Sequence, residues 1–178
     1  MTYGYSDTTT PRIAKIAGLT RGAQLHHFKA KSDMVVAAIE HLAHLRAQAA
    51  IDGVDGFAPG ADLLSSLLDY LWELHQGPFF TVAAELWVAA RTDRTLAGEI
   101  EKVEPIVNNG LITAVSHIIP TAAATESKEL GDFLFTAMDT ARGIMVASFP
   151  DTDGERAKRR WRRASKVLLA AAPRVPGI

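Results

Sequence analysis

From Thr8 to Lys31 the chain reads TTTPRIAKIAGLTRGAQLHHFKAK, the stretch in which residue types and spacing jointly point to a chemistry. Thr20, Arg21, His26 and His27 supply hydroxyl, guanidinium and ring N–H groups, which suit the base edges of a DNA major groove. Gly22 and Ala23 are small enough to let the backbone approach the groove floor. Lys15, Lys29 and Lys31 suit phosphates, which position a protein on a duplex without reading its sequence. His26 and His27 are adjacent and point in different directions on a helix, so they are not a chelating pair.

These residues need two short helices to place them. Thr9 or Thr10 can cap a first helix with Pro11 in its first turn, where a missing N–H costs nothing. Ile13, Ala14 and Ala17 give it an inward stripe, and Gly18 ends it. Thr20 then caps a second helix from Arg21 to about Phe28. Only Gly18, Leu19 and Thr20 join the two, which is helix-turn-helix spacing. The second helix of that motif enters the major groove with its N-terminal end, here Arg21, towards the bases.

Beyond Lys31 the periodicity is helical throughout, and no segment alternates with period two. Ser32 or Asp33 caps a helix to about Ile51, carrying Met34, Val35, Ala38, Ile39, Leu42 and Leu45 on one face. Residues 52–61 read as a loop. Further helices are expected from about Asp62 to Gln76, Phe79 to Ala90 and Leu96 to Ile119, the last with Pro105 inside it. The final two run from Glu126 to Phe149 and from Glu155 to Ala172, so the fold class is all-α. On those two, Ala137, Ala141 and Ile144 face Ala157, Trp161, Ala164 and Leu168 in spacing, a seam of small residues that lets helices approach closely. The first carries Glu126, Glu129, Asp132 and Asp139 and the second carries Arg156, Lys158 and Arg159. Opposite charge favours their pairing, within or across chains. Arg159-Arg160-Trp161-Arg162-Arg163 also resembles a nucleic-acid patch with an interleaved aromatic, but Trp161 falls on the apolar seam, which favours the seam.

The 178 residues are 48% hydrophobic and 22% charged, enough for one core or a small module fused to a larger domain. The net charge of −1 hides a basic head on an acidic body: residues 1–31 hold five Lys or Arg and one acid, residues 32–154 six basic and eighteen acidic residues. That polarity orients the head towards DNA. The absence of cysteine excludes disulfides, thiolate metal sites and cysteine nucleophiles. With no signal-peptide pattern and no apolar run of about 18 residues, the expected compartment is the cytoplasm and no membrane partner is expected. Glu40, His41 and His44 lack an identified further ligand, so no metal site is assigned. No nucleophile elbow, phosphate-cradling loop or HExxH is present, so no catalytic residue, enzyme activity or cofactor is assigned.

Gly4-Tyr5, the threonines after them, Ile13-Ala14, Ala17-Gly18-Leu19-Thr20, Gly22, His26-His27-Phe28 and Lys31 together resemble the N-terminal domain of TetR-type transcriptional regulators. The resemblance implies an incomplete DNA-binding head over residues 1–46, including the start of a link helix, and a helical ligand-binding and dimerisation domain over residues 47–178. It implies DNA contacts by Thr9, Thr10, Thr20, Arg21, Gly22, Ala23, Leu25, His26, His27 and Lys31. Gln24 and Leu25 depart from the family, which usually has an apolar residue and Tyr there. Family members also carry a helix ahead of the Gly-Tyr pair, which only Met1, Thr2 and Tyr3 precede here. Ile13, Ile16 and Phe28 are therefore expected to lack a packing partner. The implied protein is a homodimeric, ligand-responsive regulator, a repressor in most members, on a pseudo-palindromic double-stranded operator, with the last two helices of each subunit in a four-helix bundle. The implied effector is small and apolar or aromatic, held by Trp72, His75, Phe79, Phe80, Trp87, His117 and Phe133. The alternative is an all-helical dimeric ligand-binding or interaction protein whose head does not bind DNA.

Overall fold

The computed structural model describes residues 9–28, 30–53, 62–118 and 128–173, and for Arg21, Gln24, Leu25, Lys31 and Ile118 it describes the backbone only. The described residues form helices α1 (Thr10–Ile16), α2 (Arg21–His27), α3 (Lys31–Asp52), α4 (Leu63–Leu74), α5 (Pro78–Ala90), α6 (Arg94–Ile118), α7 (Lys128–Val146) and α8 (Glu155–Ala170), with no strand among them. The loop expected over residues 52–61 and the expected start of α7 at Glu126 lie largely outside the described residues.

Helix boundaries follow from which side chain reaches the unpaired amides of each first turn. Thr20 Oγ1 accepts from Ala23 N at 3.2 Å and so starts α2 as its sequence position implies. Thr9 occupies the cap position of α1 in extended conformation but makes no side-chain cap bond. At α3 the cap position is Ala30, which has no side-chain acceptor. Asp33 instead reaches back from the first turn and accepts from Ala30 N at 3.0 Å. Asp93 Oδ1 accepts from Leu96 N at 3.0 Å, which draws Arg94 and Thr95, expected as a break, into the first turn of α6. Gly18 separates α1 from α2 with φ 66°, a left-handed conformation that side chains rarely adopt.

Two helical groups stand side by side. In one, α4, α7 and α8 pack on each other around Leu67, Leu68, Leu71, Leu130, Leu134 and Met138. Trp72 and Trp161 stack within it, ring centroids 5.2 Å apart and planes inclined by 11°. In the other, α3 lies along α6 over the most extensive pairing in the chain, with α5 against both. Leu111 and Val115 carry the second half of α6 into the first group's core. Tyr70 of α4 holds the end of α3, its hydroxyl lying 2.9 and 2.6 Å from the carbonyl oxygens of Ala49 and Ala50.

The seam, open in sequence to pairing within or across chains, packs within one chain. Ala137, Ala141, Ala157 and Trp161 are buried by α4, α7 and α8 of the same chain, and Ile144, Ala164 and Leu168 are half-buried at its edge. The four-and-three spacing of small residues describes any close helix pair, and α4 supplies the partner that the pattern does not identify. Among the described residues no ion pair links α7 to α8, so apolar contact rather than opposite charge joins them. Burial of Trp161 against Trp72 also removes the aromatic from the basic run of α8.

Gly110 sets the separation of α3 from α6: a Cβ there would lie 2.6 Å from both Cα and Cβ of Ala47. Glycine inside a helix ordinarily costs about 1 kcal/mol relative to alanine. Here the backbone contact outweighs that preference, because neither helix backbone can yield locally. Gly110→Val is therefore expected to lower stability by about 1–3 kcal/mol, read as a fall in the urea midpoint with an unchanged m-value.

Candidate functional site

The helix-turn-helix presents Gly22, His26 and His27 to solvent, with Ala23 half-buried. The imidazoles of His26 and His27 meet edge to face, centroids 5.3 Å apart, so both lie on the same open side of α2 rather than diverging fully. Thr9 and Thr20 are exposed and Thr10 is half-buried. The side chains of Arg21, Leu25 and Lys31 lie outside the described residues. Ile16 is 77% exposed and Leu19 51%, whereas Ile13 and Phe28 are half-buried, so the expected unpartnered apolar surface is concentrated in the turn between α1 and α2.

A second site lies inside the body. A cavity of about 230 Å³ opens between α3, α5, α6 and α7, walled by Ile39, Leu42, Ala43, Ala83, Leu86, Trp87, Ile100, Val103 and Val107. Its polar groups are Arg46 from α3, Arg142 from α7 and Glu104 from α6. The two guanidinium carbons lie 5.8 and 5.4 Å from the ring centroid of Trp87, within reach of a cation–π interaction. A second cavity, of about 180 Å³, shares Arg46 and Val107 with the first and is bounded by His75, Phe79 and Met138.

The electrostatics of these cavities are set by burial. Arg46 is pulled down to about 10, first by desolvation and then by the like charge of Arg142, and it still carries its proton at neutral pH. Arg142 is lowered by the same desolvation, opposed by Asp139 and Glu104. His75 Nδ1 lies 2.7 Å from the Leu71 carbonyl oxygen, so Nδ1–H donates there and Nε2 is left as an acceptor, buried without a partner. Burial holds His75 at about 4 despite that bond, with the charges of Arg142 and Arg46 adding to the effect. It is a neutral group at physiological pH.

The seven residues expected around a ligand separate. Trp87 lines the larger cavity, and His75 and Phe79 the smaller. Phe80 lines neither: it is buried and meets both His75 and Trp87 edge-on, at 5.3 and 6.0 Å. Trp72 and Phe133 are core side chains of the α4, α7 and α8 group, with Trp72 committed to its stack on Trp161. His117 is exposed and borders neither cavity. Aromatic type alone does not separate walls from core, since both bury the same ring area. Arg46 and Arg142 were not anticipated. Their signal was present: Arg46 continues the stripe of Ile39, Leu42 and Ala43, and Arg142 follows Met138 by one turn, so each puts a charge on an apolar face.

Two short helices joined by a tight turn thus precede a long helix whose flank borders an apolar cavity. Residues 1–38 match the bacterial regulatory proteins of the tetR family. The chain is also similar to the HTH-type transcriptional regulator CymR of Pseudomonas putida, 25% identical over 157 residues that cover 88% of this chain and 76% of that protein. No solved structure matches significantly. These matches support a DNA-binding transcriptional regulator whose first 38 residues are similar to the tetR family. No helix among the described residues is long and apolar enough to cross a membrane.

The low value of His75 has a consequence for stability. Its folded value lies below the unfolded 6.5, so between about pH 6.5 and 4 the unfolded chain binds a proton that the folded chain refuses. The contribution of neutral His75 is complete above pH 6.5 and is lost as pH falls, by about 2 kcal/mol at pH 5. Urea unfolding at pH 7 and pH 5 reads this loss, and His75→Phe is expected to abolish that component of it.

Proposed function

We propose that this protein is a ligand-responsive repressor that acts in the cytoplasm as a homodimer on a pseudo-palindromic operator. The head of residues 1–46 reads DNA, and the body of residues 47–178 senses and dimerises. The observation that carries this reading is the continuity of α3. Its first residue, Lys31, comes four positions after His27, the last of α2, and Ile39, Leu42, Ala43 and Arg46 further along it border the cavity. A ligand that shifts α3 against α6 therefore moves the head as a lever, and two heads displaced in opposite senses no longer match two successive grooves. Coupling of this kind amounts to about 1–3 kcal/mol between ligand and DNA. No catalytic role is proposed.

The dimer contact is proposed for the face of α7 and α8 left open by α4. A shallow groove runs there past Thr140, Gly143, Ile144, Ala147 and Ala164, with Asp139, Arg160 and Arg163 also in its lining, and Val146, Phe149 and Val167 are exposed along the same segments. Apolar side chains of that size on adjoining turns support a self-complementary contact about a two-fold axis. Sedimentation is expected to give a dimer, and Gly143→Arg a monomer that keeps the wild-type helical signal. A monomeric wild type at micromolar concentration contradicts the assembly.

DNA recognition is tested by selecting duplexes from a random pool with the full chain. Enrichment of two inverted half-sites about 10 base pairs apart, or a multiple of that, is expected. Arg21→Ala should erase the preference among sequences, whereas Lys31→Ala should weaken all of them alike and reduce the salt slope by about one unit. A pool that returns without an enriched sequence contradicts the specific-regulator reading.

A further inference from the structure

The two arginines in the larger cavity have no use in the dimer contact or in DNA recognition, and their surroundings are unfavourable to them. Arg46 has no carboxylate within salt-bridge distance among the described residues, and its charge is set beside Arg142. Arg142 directs Nη1 to Asp139 Oδ1 at 3.2 Å, but that carboxylate is largely exposed, where water screens it. Its Nη2 meets only the Met138 thioether, at 3.2 Å, a weak acceptor. Its Nε is buried with no partner. The cavity thus contains two guanidinium groups, the carboxylate of Glu104, which neither of them meets at salt-bridge distance, and one aromatic ring, so its positive charge and N–H donors are in surplus.

We infer that the effector is a small organic monocarboxylate, its carboxylate placed between Arg46 and Arg142 and its hydrocarbon body against Trp87 and the aliphatic walls of α3, α5 and α6. This deepens the reading of the cavity as an effector site and rests on it. A carboxylate is planar and accepts a guanidinium fork through two oxygens, and it replaces the missing acceptors with one group. A phosphate or sulfate would add further charged oxygens, which Leu42, Leu86 and Val103 would leave unsolvated. Glu104 in the cavity lining opposes a second anionic group, which selects a monoacid over a diacid. Size narrows the class further. A dry cavity of about 150 Å³ accepts benzene. The 230 Å³ here accommodates one ring, or a chain of similar bulk, with a carboxylate attached. Because Arg46 stands on α3, an anion that draws it towards Arg142 pulls on the helix that carries the head.

Calorimetric titration of the protein with benzoate, phenylacetate and hexanoate, alongside benzamide, hexanamide, toluene and inorganic phosphate, tests the inference. At least one carboxylate should bind, and its amide should bind at least about tenfold more weakly, the difference between a charge-assisted fork and a neutral hydrogen bond. Arg46→Gln and Arg142→Gln should each weaken carboxylate binding by about tenfold or more while leaving toluene binding unchanged. Because each substitution removes a desolvated like charge, the ligand-free variants should melt no lower than the wild type, which separates a ligand site from a structural arginine pair. Amides that bind as tightly as the acids, or carboxylate affinity indifferent to both substitutions, overturn the carboxylate assignment and leave the effector cavity standing. Binding of inorganic phosphate in competition with the acids also overturns it, in favour of a general anion site. If neither the acids nor the neutral compounds bind, the effector reading of the cavity falls with it.

Discussion

The contact on which the rest of the structure depends is the approach of α3 to α6 at Ala47 and Gly110. A helix of 22 residues that leaves a small head at one end would be marginal alone, since helices gain most of their stability from a packed face. Gly110 lets α6 come close enough to clamp α3 along its length, and the Tyr70 hydroxyl on the Ala49 and Ala50 carbonyls fixes its far end. The same clamp leaves a gap one turn away, where Arg46 and Ile39 face α5 and α7 across the larger cavity. Lever, clamp and cavity therefore share one helix.

The division into two helical groups explains why the cavity stays open. The α4, α7 and α8 group is closed by its Trp72–Trp161 stack and by alanines at the contact positions of α7. The α3, α5 and α6 group is joined to it by Leu111, Val115 and the buried edge of Phe80. Between those anchor points, two arginines resist collapse of the walls, because bringing them together without an anion would desolvate like charges further. On the proposed reading, their presence lowers the stability of the ligand-free chain and prepares it for a ligand, a common compromise at binding sites.

Local signals in the sequence were sufficient for most elements. Thr20 and Gly18 each act within one turn, and the helices they bound stand within a few residues of expectation. α6 starts two residues before the expected Leu96 because Asp93 caps it. The long-range pairings were less legible. Ala137, Ala141, Ala157 and Trp161 have the spacing of a close helix contact, but spacing does not say whether α4 or a second chain fills it. The same limit applied to aromatic residues: Trp72 and Trp87 look alike in sequence, and only the placement of α8 makes one core and the other wall. Arg46 and Arg142 were visible as charges on apolar stripes, yet they lie 96 positions apart, since 142 − 46 = 96. Only the packed α3 and α7 bring them to one ring.

The central claim is that occupancy of the cavity and the grip on DNA are linked through α3. Linkage of this kind is reciprocal, so it is read most directly by titrating the cavity ligand into the free dimer and into the dimer saturated with operator duplex, at one salt concentration. The account predicts that the ligand binds the DNA-bound protein more weakly, by the same factor by which it weakens DNA binding, about 5- to 150-fold. Equal affinity for the free and the operator-bound protein would contradict it.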